Sequence, residues 1–167
     1  MTRIVNHFPN PRMRGIDSML SYHGCAMDSY TSTYEPSSSR YPGLTLRATR
    51  DGDNWADMNI PLPAGARLVA ACNSNGDVTS NGAAMSIWTS DGATWMANNT
   101  HGWLNASGEF TVPSNGQVKV TFRCSRTNGE RFSVFNVFVG TLEDWQALTQ
   151  IVKQGFLSWD LMPLNRS

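Results

Sequence analysis

The chain has 167 residues, with 13 Lys or Arg balanced by 13 Asp or Glu, so its formal net charge is zero. That length fits one domain with a sizeable core. The basic residues are scattered, as Arg12 and Arg14, Arg47 and Arg50, or Arg123 and Arg126, and a neutral chain with no basic run excludes the electrostatic footprint of a nucleic-acid binder.

Residues 1–43 have poor periodicity. Pro9, Pro11, Pro36 and Pro42, the Ser37–Ser39 run and several tyrosines interrupt any pattern, which predicts long loops with one or two short strands. From Leu44 the pattern changes. LTLRATR alternates, with Leu44, Leu46 and Ala48 on one face and Thr45, Arg47 and Thr49 on the other, the period of a half-buried strand. NWADMNIPL sets Ala56, Met58 and Ile60 on one face until Pro61 and Pro63 stop it. RLVAACNS reads as a buried strand, and AAMSIWTS, ATWMANN and EFTVP are shorter candidates. VKVTFRCS alternates cleanly, Val118, Val120, Phe122 and Cys124 against Lys119, Thr121 and Arg123. RFSVFNVFVG is apolar on both faces, which suits a central strand. Asp51-Gly52, Asn75-Gly76, Asn81-Gly82, Asp91-Gly92, Asn115-Gly116 and Asn128-Gly129 punctuate these runs. They tolerate the positive φ of type I′ hairpin turns, and their spacing predicts an all-β sandwich or barrel.

One segment departs from this pattern. TLEDWQALTQIVKQG carries Leu142, Trp145, Leu148, Ile151 and Val152 at helical spacing. Thr141 is placed as N-cap with Asp144 three residues on, and Gly155 fits the C′ position, so residues 141–155 are expected to form an amphipathic helix. The tail, residues 156–167, adds Phe156, Leu157, Trp159, Leu161, Met162 and Leu164. A tail this apolar is expected to dock. Trp145, Ile151, Phe156, Trp159 and Leu161 are therefore candidates for a contact with a neighbouring subunit, or equally for capping one end of their own sandwich. Residues 1–167 read as a single domain without internal repeats.

Residues for catalysis are harder to find. His7, His23 and His101 lie in no HExxH or HxH pattern, and no Cys stands at zinc-finger spacing. GxSxG, SxxK and P-loop motifs do not occur. The expectation is no catalytic residue, no metal and no cofactor. RDGDNWAD offers Asp51, Asp53 and Asp57 as oxygen ligands, but without EF-hand spacing, so a hairpin turn at Asp51-Gly52 is preferred. Cys25, Cys72 and Cys124 are an odd number and far apart, which favours free buried thiols. No apolar stretch approaches the roughly 20 residues of a membrane span, and no secretory signal core is visible. The chain is expected to be made in a cytoplasm and to reach the outside by lysis.

Trp88, Trp95 and Trp103 fall in one window, SIWTSDGATWMANNTHGW, rich in Ser, Thr, Asn and Asp. An indole covers the apolar face of a pyranose while polar neighbours bond its hydroxyls. These three are the candidate glycan-binding residues, the alternatives being a core or a subunit-interface role.

The opening NHFPNPRM resembles the N-x-x-x-N-P start of carbohydrate-binding jelly rolls of the CBM4/9-like kind and of many phage tail and fibre proteins. RFSVFNVFVG resembles their closing strand, which typically pairs with the first. VGTLEDWQALTQIVKQGFLSWDLMPL is similar to the C-terminal ends of small virion proteins from phages of Gram-positive hosts. The resemblance implies an all-β, jelly-roll-like sandwich with one C-terminal helix, entered through Phe8 as inward anchor of an edge strand. It implies a non-enzymatic virion protein, a tail, baseplate or fibre component ahead of a capsid decoration protein. Its partners would be other virion proteins and copies of itself, and its place the virion. The alternative is a carbohydrate-binding module or receptor-binding head for host cell-surface glycan. The family's SFE is here Arg12-Met13-Arg14, and no sugar-binding residue carries over by position.

Overall fold

The computed structural model describes residues 3–31, 42–76, 82–103 and 105–153. Ten strands and one helix follow a 3₁₀ turn over Ile16–Met19: β1 (Ser21–His23), β2 (Cys25–Thr31), β3 (Pro42–Ala48), β4 (Trp55–Pro61), β5 (Arg67–Gly76), β6 (Ala83–Thr89), β7 (Trp95–Thr100), β8 (Phe110–Thr111), β9 (Gln117–Arg123), β10 (Arg131–Gly140) and α1 (Leu142–Lys153). They form two five-stranded sheets, in the orders β1-β4-β9-β6-β7 and β2-β3-β10-β5-β8. All neighbours are antiparallel. The chain changes sheet at nearly every connection from β3 to β10. This is the expected jelly-roll-like sandwich.

Turn dipeptides behave differently from the hairpin expectation. Of the six, Asp91-Gly92 closes a hairpin, between β6 and β7, where Thr89 N–H bonds Thr94 C=O at 2.9 Å and Gly92 has φ 76°. Asp51-Gly52, Asn75-Gly76, Asn115-Gly116 and Asn128-Gly129 lie where the chain passes to the opposite sheet, and Asn81 is outside the described residues. A dipeptide that supplies positive φ reverses the chain. It does not decide which sheet receives the next strand.

The core between the sheets is built by alternation. Ala56, Met58 and Ile60 of β4 and Val118, Val120 and Phe122 of β9 point inward, against Leu44 and Leu46 of β3 and Phe132 and Val134 of β10. Burying each large apolar side chain contributes roughly 1.5–3 kcal/mol. Cys25, Cys72 and Cys124 are free and buried, as expected. Burial pushes the Cys72 thiol up to about 12, opposed by the Asn99 amide. A second, smaller cluster lies on the outer side of the second sheet, where Trp145 and Leu148 of α1 cover Val69, Ala71 and Phe138. Thr141 Oγ1 accepts from Asp144 N–H at 3.1 Å, the expected cap. Trp145 is buried against Phe138, ring centroids 5.4 Å apart. It packs within its own domain, the second of the two roles expected for it. Ile151 is half-buried, and Phe156, Trp159 and Leu161 lie outside the described residues.

The N-terminal segment docks without becoming a strand, which corrects the edge-strand expectation. β3 pairs with β10 only from Arg131 to Phe135. Beyond the irregularity between Phe135 and Phe138, where Asn136 takes φ 55°, residues 6–8 lie against β10 instead. Asn6 does this with its side chain. Its Oδ1 accepts from Val139 N–H at 2.9 Å and Phe8 N–H at 3.1 Å, and its Nδ2 donates to Val137 C=O at 2.9 Å. His7 N–H adds a bond to Val139 C=O at 2.7 Å. Phe8 is fully buried, edge-on to Phe122 at 6.0 Å, so the inward anchor is as expected.

Replacing Asn6 by Ala leaves buried Val139 N–H, Phe8 N–H and Val137 C=O without these partners. At about 1–3 kcal/mol per orphaned group, partly relieved by water, we expect Asn6→Ala to cost about 2–4 kcal/mol in urea unfolding. A loss below about 1 kcal/mol would show that the clamp contributes little. A pH effect follows from His7 and His101. Burial lowers both below their ordinary 6.5, with Asp144 opposing the shift at His7. The unfolded chain then takes up protons first as pH falls, so stability is full above about pH 7 and declines below 6.5. Urea midpoints at about pH 7.5 and 5.5 check this, and His101→Gln reduces the difference.

Candidate functional site

The strands that bury Ala56, Met58, Ile60, Val118, Val120 and Phe122 inward carry their alternate residues outward. Register assembles these into three cross-strand rows on the outer face of the first sheet. His23, Trp55 and Arg123 are opposite one another. Ser21, Asp57, Thr121 and Ser86 form the next row, and Asn59, Lys119, Trp88 and Trp95 the third. Successive rows stand roughly 7 Å apart along the strands.

Most of these residues line an open groove of about 560 Å³, together with Asp91 and Gly92 of the β6–β7 turn. Trp55 and Trp88 sit at diagonal corners. Their Cα atoms are two strands and two rows apart, on the order of 16 Å. Buried Thr121 lines the polar floor between them, with buried Ser86 opposite it on β6.

At one end Trp55 is held firmly. Its Nε1 donates to Asp57 Oδ2 at 3.0 Å, and His23 stacks on the indole, centroids 4.7 Å apart and planes 17° apart. His23 Nε2 reaches the same Asp57 oxygen at 3.1 Å. The loop before β4 is fixed by buried Asn54, whose Nδ2 donates to Arg50 C=O at 2.8 Å and Ser125 C=O at 3.0 Å. Cys124 N–H donates to Asn54 C=O at 2.9 Å, which ties the start of β4 to the end of β9. Gly24, at φ 68°, lets β1 approach, since a Cβ there would overlap the Asn54 side chain. Asp51 and Asp53 turn away, to Asn128 N–H at 2.9 Å and Arg126 at 3.3 Å. The three aspartates of RDGDNWAD therefore do not converge.

At the other end Asp91 Oδ1 accepts from Thr89 Oγ1 at 2.6 Å and Ala93 N–H at 2.9 Å. These bonds, and then the charge of Lys119, hold its carboxyl below the usual range. Arg123 is half-buried, and its Nε and Nη2 both reach Ser86 Oγ at 3.4 Å. Burial lowers its pKa, opposed by Asp53.

The structure separates the three tryptophans singled out from composition. Trp88 lines the groove. Trp95 is its neighbour on β7, 53% exposed, its Nε1 bonded to Asn98 Oδ1 at 2.9 Å outside the groove lining. Trp103 packs edge-on against Phe135 of the second sheet at 5.2 Å, so one site containing all three does not form. Sequence reasoning missed Trp55 and its partners His23, Asp57 and Arg123. The available signal was the polar face of NWADMNIPL, on which Trp55, Asp57 and Asn59 alternate with the core residues.

No protein-family model matches the chain, and no curated protein matches it in sequence. Among solved structures it is similar to TmCBM61, bound to β-1,4-galactotriose, at 18% identity, covering 84% of this chain and 99% of that one with a TM-score of 0.46. A point mutant of the family 29 carbohydrate-binding module CBM29-2 matches at 12% identity, 94% and 97% coverage and a TM-score of 0.45. The CBM22-1 xylan-binding domain of Xyn10C from Paenibacillus barcinonensis matches at 9% identity, 82% and 92% coverage and a TM-score of 0.45.

Proposed function

We propose that the chain is a glycan-binding module that takes an oligosaccharide along the outer face of its first sheet. One observation carries this reading: two half-buried indoles stand at diagonal corners of an open groove whose floor and walls are otherwise polar. Indole faces cover the apolar faces of sugar rings, and Ser, Thr, Asp, His and Arg groups bond their hydroxyls. The span between the rings suits a short oligosaccharide rather than one ring. Asp57 acts as a positioning residue, since a single carboxylate oxygen holds both Trp55 and His23.

Binding, with no turnover, is the chemistry this arrangement supports. Asp57 and Asp91 both face the groove, but each is occupied by local donors that fix a side chain or a turn. The tail, baseplate or decoration role on a phage particle rests on the sequence resemblance alone. Neither the groove nor the packing of the helix on its own sheet supports it.

The test is affinity electrophoresis and calorimetry against soluble polysaccharides, including galactan, xylan and mixed β-glucan, the first two chosen from ligands named for the similar structures. Trp55→Ala and Trp88→Ala are each expected to weaken binding about tenfold or more, with unchanged circular dichroism. Trp103→Ala leaves binding unaltered. Equal loss from all three variants, or from none, overturns this placement of the site.

A further inference from the structure

Resting on the glycan reading above, the geometry points to an acidic sugar as the ligand: we propose that Arg123 receives the carboxylate of a uronate residue. Formal charges in the groove cancel, Lys119 and Arg123 against Asp57 and Asp91. Their bonding does not. Asp57 Oδ2 already accepts from Trp55 Nε1 at 3.0 Å and contacts His23 Nε2 at 3.1 Å. Asp91 Oδ1 is taken by Thr89 and Ala93. Lys119 acts on Asp91 through its charge but makes no ion pair with it, and among the described residues Arg123 is in no ion pair either. The Arg or Lys ion pairs among the described residues are Arg67–Glu109, Arg126–Asp53 and Arg131–Asp28, and none includes Arg123 or Lys119. The nearby acid that acts on Arg123, Asp53, is itself paired with Arg126 at 3.3 Å.

A guanidinium has five N–H donors in a planar fork. In Arg123 the two side-chain bonds share one neutral oxygen, Ser86 Oγ, at a long 3.4 Å each. Holding a cation half-desolvated with so little compensation is unfavourable, and burial does lower its pKa. A ligand carboxylate offsets this with two parallel charge-assisted bonds that neutral hydroxyls cannot match. Register adds the second half of the inference. Arg123 is directly opposite Trp55, and Lys119 directly opposite Trp88. Each indole therefore has a cation beside it, so a pyranose stacked on Trp55 places a ring substituent within reach of the guanidinium.

The full chain is titrated calorimetrically with polygalacturonate, alginate and glucuronoxylan, each compared with its carboxyl-reduced form, and with polyglutamate. At least one acidic polysaccharide is expected to bind about tenfold or more tightly than its reduced form. That gap is expected to narrow as salt is raised, and polyglutamate is expected to bind far more weakly. In Arg123→Gln the acidic-to-reduced affinity ratio falls to about one. Arg123→Lys, which keeps the charge and loses the fork, gives an intermediate ratio and guards against a folding defect in the first variant. Equal affinity for acidic and reduced forms, or an unchanged ratio in both Arg123 variants, overturns the uronate assignment while leaving the glycan reading intact. Polyglutamate binding as tightly as the acidic sugars also overturns it, because charge alone then suffices. Failure of every polysaccharide, acidic or neutral, overturns both.

Discussion

The register between β4 and β9 is the constraint on which both core and groove depend. Seven consecutive pairs run from Trp55↔Arg123 to Pro61↔Gln117. Because side chains alternate with period two, this pairing puts Ala56 beside Phe122, Met58 beside Val120 and Ile60 beside Val118 on the core face. The same pairing puts Trp55 beside Arg123, Asp57 beside Thr121 and Asn59 beside Lys119 on the other. A slip of β9 by one residue against β4 would turn Val118, Val120 and Phe122 outward and bury Lys119 and Arg123 unpaired. Burial of the apolar set is therefore what fixes the spacing of the groove residues. Core packing sets the positions of the groove face, and Asp57 and His23 then orient Trp55 on it.

That coupling explains why the ends of these strands are tied so closely. Asn54 joins the entry to β4 and the exit of β9 through its amide and its carbonyl, just where Trp55 and Arg123 begin and end the row. Asp57 then orients the indole from two residues further along. At the second sheet a different amide does comparable work, with Asn6 standing in for the β3 hydrogen bonds that β10 loses after Phe135. In both places a buried asparagine satisfies backbone groups where ladder pairing stops, which is what an amide with both a donor and an acceptor can do.

The sequence made the strands legible and left their partners open. Alternation in NWADMNIPL and VKVTFRCS identifies both strands and their core faces, yet nothing local says that residue 55 meets residue 123. Trp55 went unseen because RDGDNWAD reads as a turn and a possible cation loop, which draws attention to its aspartates. In the fold Asp51 and Asp53 serve the β9–β10 connection while Asp57 faces the groove. Clustering in sequence misled in the opposite direction for Trp88, Trp95 and Trp103. A hairpin keeps the first two together, but the chain after β7 leaves for the second sheet, and Trp103 goes with it to Phe135. The N-terminal anchor Phe8 was readable from NHFPNPRM. That Asn6 would bond through its side chain, without extending a strand, was not, because it depends on the break in β10 at Asn136.

A less direct signal does separate the two sheets, and it bears on where a site can be. β5 and β10 are buried along both faces, whereas β4 alternates buried and accessible residues throughout. A two-sided apolar strand requires cover on both faces, and for part of the second sheet α1 provides it by placing Trp145 and Leu148 over Val69, Ala71 and Phe138. An alternating strand keeps one face in contact with solvent, so its polar positions are free to meet a ligand. RFSVFNVFVG thus belongs to the covered sheet, and NWADMNIPL and VKVTFRCS to the open one. An aromatic on the open face of an alternating strand is then a stronger pointer to a binding face than several aromatics in a polar loop. It is held at a fixed height above a rigid sheet, with its cross-strand neighbours determined by register. Trp55, set between His23 and Arg123 on that open face, meets this condition.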